Sequence, residues 1–321
     1  MNLLITGGNG FIGYNFTKYV LANCSDCEVI CLDSNTYAAN IVEISSSRYH
    51  FVRGDIRDGA LVGGILADYD IDRIINFAAE THVDNSIANP NLFVETNVLG
   101  TAVLLQKARE FWGIGGDNLY FQVSTDEVYG EIDADGAKFT EDSIISPRSP
   151  YSASKAGADL LVKAYFDTYN LPVVTTRCSN NYGFYQHREK FIPLIITNAL
   201  LDKPIPVYGD GNNVRDWIFV LDHCSALWSV LTAGESVVGK VYNIGANCEM
   251  RNIDLVKFIL DYLKKPASLI TFVEDRLGHD RRYAIDATKI GTDIGWRAES
   301  AFETSMIATI DWYVARYGER K

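Results

Sequence analysis

An α/β fold, a doubly wound parallel sheet followed by a smaller mixed α/β part, is predicted by three features of the sequence. Short apolar runs alternate with helix-length amphipathic segments through the first half of the 321 residues. The first run, "NLLIT" (2–6), passes directly into three spaced glycines. Beyond residue 175 or so the alternation loosens, and short strands mix with helices.

Each element has its own pattern. "NLLIT" is an unbroken apolar run closed by glycines, as a strand covered on both faces requires. "FIGYNFTKYVLAN" (11–23) has apolar residues at 11, 12, 16, 19 and 20, an approximate helical face. "CEVICLD" (27–33) ends a second strand on Asp33, and "YHFVRGD" (49–55) and "DRIINFAAE" (72–80) supply two more. "NLFVETNVLGTAVLLQKAREFW" (91–112) is a long helical pattern, and "NLYFQVSTDE" (118–127) is a strand ending in polar residues. The next helix, "SPYSASKAGADLLVKAYFDTYN" (149–170), starts with Ser149 as N-cap and Pro150 in the first helical position. "LPVVTTRCSNNYG" (171–183) is a strand and loop. Short strands then fall in "PIPVYGDG" (204–211) and "KVYNIGA" (240–246), with helices near 189–202, 222–233, 252–264 and 301–317. No internal repeat or low-complexity linker interrupts the chain.

Composition narrows the function classes. The chain is 47% hydrophobic and 22% charged, ordinary values for a globular protein. Its formal net charge of −12 argues against broad binding to nucleic acid or a membrane surface. No apolar run approaches the ~18 residues of a membrane span. Gly7 interrupts the first apolar run too early for a signal peptide, so a cytoplasmic protein is expected. Of the six cysteines, three lie in "CSDCEVIC" (24–31), whose spacing resembles a metal knuckle. No second Cys/His pair follows nearby, and none of the five histidines falls in a metal-binding pattern, so reduced thiols and no metal are expected.

Gly8, Gly10 and Gly13 satisfy G-x-G-x-x-G, and Gly7, Gly10 and Gly13 satisfy G-x-x-G-x-x-G, between a strand and a helix. Glycine permits the tight turn and lets backbone N–H groups approach a pyrophosphate, while the helix N-terminus adds partial positive charge. Asp33 follows Gly13 by twenty residues at the end of the next strand. A carboxylate there accepts hydrogen bonds from an adenosine ribose and repels a 2′-phosphate, which predicts NAD rather than NADP on a Rossmann-like sheet. Further along, Tyr151 and Lys155 share one helix face at i and i+4. A phenol titrates near about 10. An ammonium and the cationic nicotinamide nearby would lower that value and let it act as a base. Thr125, Asp126 and Glu127 end a strand with two adjacent carboxyls, which can serve as acid and base if their environments differ. On a straight strand the two point to opposite faces, so both reach one substrate only if the chain turns there.

These residues resemble the extended short-chain dehydrogenase/reductase superfamily. "DSNTYAAN" (33–40), "AAETHVDNS" (78–86), "STDEVYG" (124–130), "SPYSASKAG" (149–157), "RCSNNYG" (177–183), "YGDGNNVRDWIFVLDH" (208–223) and "LGHDRRYAID" (277–286) resemble its nucleoside-diphosphate-glucose 4,6-dehydratases, particularly the dTDP-glucose type, in order over nearly the whole chain. The resemblance implies catalysis by Thr125, Asp126, Glu127, Tyr151 and Lys155: Tyr151 as base at the sugar O4, Glu127 as base at C5, and neutral Asp126 as acid at the C6 hydroxyl. It implies that NAD is held by Gly7, Gly10, Phe11, Ile12, Gly13, Asp33, Ser34, Asn35, Thr36, Asp55, Ile56, Phe77, Ala78, Ala79, Thr96, Tyr151, Lys155 and Asn181. It further implies that the nucleotide sugar is held by Thr81, Thr125, Asn180, Lys190, Phe191, Leu194, Pro206, Tyr208, Arg215, Asn252, Arg276 and His279. His82 also occupies a family-like position, where packing is as good an account as catalysis.

Some positions depart from the family pattern. Phe184, Arg188 and Leu277 stand where proline is frequent, and Asn85 where arginine is frequent. The segment between Tyr129 and Tyr151 is shorter than in many members, so a reduced active-site lid is expected. Residues 1–175 are expected to carry NAD and the catalytic groups, and 176–321 the nucleotide-sugar grip, with the chain free to cross back. A homodimer is expected through helices 91–111 and 151–169, paired with their symmetry mates as a four-helix bundle. UDP-glucose is an alternative to dTDP-glucose. A 4-epimerase, a dehydrogenase that releases NADH, and a non-catalytic NAD-binding regulator are the competing readings.

Overall fold

The computed structural model describes residues 1–113, 116–133, 136–275 and 278–318. From the N-terminus the elements run β1 (Asn2–Thr6), α1 (Phe11–Asn23), β2 (Glu28–Asp33), β3 (Tyr49–Arg53), α2 (Gly59–Asp68), β4 (Arg73–Asn76) and α3 (Val83–Ala88). Next come α4 (Pro90–Phe93), α5 (Gly100–Trp112), β5 (Leu119–Thr125), α6 (Pro150–Tyr169), β6 (Val173–Cys178) and β7 (Asn180–Tyr182). One wide π turn, Val94–Leu99, joins α4 to α5, so the long helical pattern of 91–112 is a nearly continuous helix. The remainder comprises α7 (Phe191–Leu200), β8 (Ile205–Tyr208), β9 (Val214–Phe219), α8 (Val220–Leu231), β10 (Val241–Ile244), β11 (Glu249–Arg251), α9 (Asn252–Tyr262), β12 (Ile270–Val273), α10 (Thr288–Ile294) and α11 (Phe302–Tyr317).

Seven strands form one sheet in the order β10-β6-β5-β4-β1-β2-β3. Every pairing in it is parallel. The order reverses between β1 and β4, the switch point of a doubly wound fold, where ligands bind outside the strand C-termini. The alternation of side chains along β1 explains the two-sided cover: Leu3 and Ile5 join the apolar layer of α1 and α8, while Leu4 joins that of α2 and α5. A three-stranded mixed sheet, β11-β9-β7, and a parallel pair, β12-β8, make the smaller part. β10 pairs with β6, so the large sheet takes its last strand from beyond residue 176.

One expectation fails. Cys24 and Cys27 are joined in a disulfide rather than held as reduced thiols. Cys24 ends α1 and Cys27 precedes β2, and this short connection brings their Cα atoms to 5.6 Å, within disulfide reach. Cys31, Cys178, Cys224 and Cys248 are free. Among the described residues no helix is long and apolar enough to cross a membrane.

Candidate active site

The turn after β1 is built by contacts that exclude side chains. Gly7 has φ +67°, and a Cβ on it would stand 2.6 Å from the Ala78 nitrogen at the end of β4. A Cβ on Gly13, inside the first turn of α1, would collide with the Gly7 carbonyl. Gly10 differs: an added Cβ would meet only the Gly7 carbonyl, at 3.1 Å, and its other side opens on the cavity. At the tip of β2, Asp33 accepts from the Asn9 backbone N–H at 2.9 Å through Oδ2 and from the Asn35 N–H at 2.7 Å through Oδ1. These bonds orient its carboxylate, and both oxygens keep lone pairs for a further donor.

β5 ends at Thr125, and residues 126–129 then form a tight 3₁₀ turn. Thr125 caps that turn, its Oγ1 accepting from the Glu127 N–H at 3.3 Å. This is the turn that two adjacent carboxyls need in order to line one cavity. Asp126 is buried, and burial first, then the neighbouring Glu127 and Asp216 carboxylates, push its carboxyl well above the usual range, with Arg215 opposing. Asp126 Oδ2 and Asn180 Oδ1 are buried on the cavity wall and find no hydrogen-bond partner among the described residues.

α6 delivers the tyrosine and lysine. Ser149 and Ser152 close a capping box around Tyr151, which fixes the start of the helix. Tyr151 is buried with Phe93 edge-on, ring centroids 6.3 Å apart. In the protein alone its phenol lies well above the ordinary value, because burial and the charges of Glu127, Cys178 and Asp126 outweigh the Thr125 hydrogen bond. Burial is the largest of these causes. Lys155 Nζ donates to the Val123 carbonyl of β5 at 2.8 Å. Burial lowers its basicity and the Asp159 carboxylate, one helical turn on, raises it.

One cavity of about 620 Å³ joins these groups across the strand C-termini. From the expected cofactor set it is lined by Gly7, Gly10, Phe11, Ile12 and Gly13, by Asp33, Ser34 and Thr36, and by Asp55 and Ile56. Phe77, Ala78, Ala79, Thr96, Tyr151, Lys155 and Asn181 continue the wall. Thr81, Thr125, Asp126, Glu127, Asn180 and Lys190 line its other end. Asn35 stands behind Asp33 rather than on the wall. Phe191, Leu194, Pro206, Tyr208, Arg215, Asn252 and His279 lie outside this lining, on α7, β8, β9, α9 and the loop before residue 280. Arg215 packs its guanidinium 4.4 Å from the Tyr283 ring centre and donates to the Asp280 carbonyl at 3.0 Å. Arg276 lies outside the described residues.

Sequence reasoning missed part of the rim. Arg57 holds Asp55, donating to it from Nη2 at 2.7 Å, and reaches Glu95 at 3.0 Å. That hydrogen bonding keeps the Asp55 carboxyl below its ordinary range. Gln186, His187 and Glu189 also line the cavity. The spacing of Arg57 after Asp55 was a usable signal. Within 184–190, only Lys190 was read as a ligand contact, and Phe184 and Arg188 were read for their missing prolines.

The residues present fit a dinucleotide at one end of the cavity and a polar ligand at the other: a glycine cradle that a Cβ would fill, an oriented carboxylate at the second strand, and orphaned polar atoms near Thr125. The sequence model of the GDP-mannose 4,6 dehydratase family matches residues 4–309. The dTDP-glucose 4,6-dehydratase of Xanthomonas campestris pv. campestris (strain B100) is 48% identical, over 97% of this chain and 92% of that protein. The low-salt glycan biosynthesis protein Agl12 of Haloferax volcanii is 50% identical, over 98% of this chain and 99% of that one. Among solved structures, DesIV, a dTDP-glucose 4,6-dehydratase from Streptomyces venezuelae with NAD and TYD bound, superimposes with a TM-score of 0.93 at 46% identity, covering 99% of this chain and 98% of its own. With this agreement over essentially its full length, the chain belongs to the dTDP-glucose 4,6-dehydratase family of the extended short-chain dehydrogenase/reductases.

Proposed function

We propose that the chain is an NAD-dependent nucleotide-sugar 4,6-dehydratase, converting dTDP-glucose to its 4-keto-6-deoxy product and water. The observation that carries this reading is the turn at Thr125, which sets a buried, neutral-leaning Asp126 and the adjacent Glu127 on the cavity that also holds Tyr151. Elimination across C5 and C6 needs a base for a carbon acid and an acid for a poor leaving group, and two carboxyls in unlike surroundings meet that need.

Bound along the glycine turn against Asp33, NAD supplies the hydride acceptor and, later in the same turnover, the hydride donor. Tyr151 takes the proton from the sugar O4, with Thr125 donating to the sugar near that oxygen. The 4-ketone acidifies the C5 hydrogen, which Glu127 removes. Asp126 gives its proton to the departing C6 hydroxyl, and water leaves. Reduction at C6 and reprotonation at C5 complete the product with no net redox change. Residues 1–175 carry this chemistry, and residues 176–321 add the nucleotide grip, with Lys190 and Asn180 already on the cavity wall. A 4-epimerase has no use for an acid at C6, so the buried Asp126 argues against that alternative.

UDP-glucose is the second substrate to test, because thymine and uracil differ by one methyl, worth only about 1–3 kcal/mol in a pocket. The reading includes a homodimer through the 90–112 and α6 helices, whose outer faces expose Val94, Leu99 and Leu160 at 53%, 52% and 57%. Mass spectrometry of reactions with dTDP- and UDP-glucose deuterated at C4 tests the activity. Loss of one water, deuterium at C6 of the same molecule and no accumulating NADH are expected. Deuterium lost to solvent, or retained at C4, overturns it. Sedimentation as a monomer overturns the dimer.

A further inference from the structure

Three loops meet over the cavity: 34–40 after β2, 77–82 after β4, and 183–190 after β7. The root of the third is rigidly held. Asn15 donates to the Phe184 carbonyl at 2.9 Å, Asn40 to the Tyr185 carbonyl at 3.1 Å, and Tyr313 to the Gln186 carbonyl at 2.6 Å. Tyr185 takes φ +67°, a conformation costly for an aromatic residue. It is wedged between Tyr14 and Trp312, with ring centroids at 4.6 and 4.9 Å. The tip of the loop forms cavity wall through Gln186, His187, Glu189 and Lys190.

That tip is tied across the opening. Tyr37 Oη donates to Glu189 Oε1 at 3.0 Å and accepts from Asn85 Nδ2 at 3.4 Å. Its ring meets the His187 imidazole edge-on at 5.6 Å. The next residue after Glu189, Lys190, donates to the Thr81 carbonyl at 3.1 Å. Tyr37 itself is followed by Ala38 and Ala39, which line the cavity on the Asp33 side. A phenol titrates near about 10, so Tyr37, raised further beside the Glu189 carboxylate, is a donor at neutral pH.

We propose that Tyr37 and Glu189 are positioning residues that latch the 34–40 loop to the 183–190 strap and so retain the reduced dinucleotide between hydride removal and return. This rests on the NAD reading above. A dehydratase has a particular need for such a latch: the ketone formed at C4 can be carried forward only by the cofactor molecule that took its hydride. Escape of that molecule leaves the turnover unfinished. The latch touches neither reacting carbon, so it acts on residence time rather than on chemistry.

The test is the dissociation rate of NADH, read as loss of nicotinamide fluorescence when excess NAD is mixed with preloaded protein. Wild type, Tyr37→Phe, Glu189→Ala and the double variant are compared. Each single change is expected to raise the rate roughly 3–10-fold, the range of one ordinary hydrogen bond at an exposed position. The double variant is expected to match the faster single variant rather than multiply the two effects, since both remove one bond. During turnover without added NAD, the single variants are expected to release NADH into the filtrate, and wild type to retain it. Unchanged dissociation rates in the single variants, or multiplicative rates in the double, overturn the latch. If one single variant fails to fold, the rate of the other decides. Wild type that binds NADH but forms no keto sugar defeats the reaction reading while the dissociation rates still judge the latch; wild type that binds no NADH defeats both.

Discussion

Arg177 of β6 donates from Nε to Asp159 of α6 at 2.9 Å, with both side chains buried. The same guanidinium donates from Nη1 to Tyr129 Oη at 3.0 Å, and Tyr129 donates to Asn243 at 2.8 Å on β10. This network ties β6, α6, the turn after β5 and β10 together directly behind the catalytic groups. Asp159 also sits one turn beyond Lys155, where its charge favours the ammonium against burial. Asp159→Ala leaves a buried guanidinium without its carboxylate. Such a loss costs about 3–5 kcal/mol, measurable by urea denaturation. A change of under about 1 kcal/mol, the scale of an exposed pair, would show that Arg177 finds other partners. Asp159→Asn keeps the volume, and a milder stability loss with weaker NAD binding is expected, because Lys155 then lacks its counter-charge.

Asp126 gives a pH prediction whose sign follows from its raised value. A carboxyl that holds its proton more tightly folded than unfolded binds more protons in the native state. Its contribution is therefore most favourable below about 3.9, the unfolded value, and declines as pH rises towards the folded value. Asp126→Asn removes that decline. The variant is expected to melt higher than wild type at neutral pH, with the gap closing in acid. Its dehydration rate is expected to fall by about 10²–10⁴, because the amide has no proton to give. A melting difference that is constant with pH would show that Asp126 titrates normally.

The difference between what was legible and what was not follows the range of the interactions. The glycine turn, Asp33, the Thr125-Asp126-Glu127 strand end and the Tyr151–Lys155 helix face are local patterns, and the strand C-termini of a parallel sheet converge them on one cavity. The return of β10 to β6, 63 residues after β6 ends if Val241 is counted from Cys178, leaves no local trace. Neither does the pairing of Tyr37 with Glu189, which joins loops 152 residues apart. Arg215 was legible as a basic residue in a family-like stretch. Its stacking on Tyr283 depends on a loop that reaches it only in the fold. The Cys24–Cys27 spacing was visible, but a cytosolic expectation outweighed the geometry of a two-residue loop.

Gly10 and Gly13 belong to one motif and are expected to fail differently. Ala at Gly13 drives its Cβ into the Gly7 carbonyl and to 2.9 Å from the Gly8 Cα, both backbone and unable to yield. Overpacking of this kind costs about 1–3 kcal/mol or more, so Gly13→Ala is expected to lower the melting temperature with or without cofactor. Ala at Gly10 meets only one atom at 3.1 Å, and its methyl faces the cavity. Gly10→Ala is expected to keep the melting temperature of the cofactor-free protein and to weaken NAD binding at least roughly tenfold, through lost close approach of the backbone. Calorimetric titration with NAD beside thermal melts separates the two, and equal stability losses at both positions would remove the distinction.

Glu127 and Tyr151 serve different steps in the proposed reaction, and isotopes separate them. Tyr151→Phe keeps the ring packed against Phe93 but removes the group that takes the O4 proton. No transient NADH absorbance is expected on mixing this variant with dTDP-glucose. Glu127→Gln preserves the oxidation at C4, so transient NADH is expected to form. Without a base at C5, however, deuterium from heavy water is expected to stay out of the sugar, and product formation to fall by about 10²–10⁴. The two variants thus stop on opposite sides of the ketone. Full product formation by Glu127→Gln would assign the C5 proton to another group. Transient NADH in Tyr151→Phe at the wild-type rate would do the same for the O4 proton.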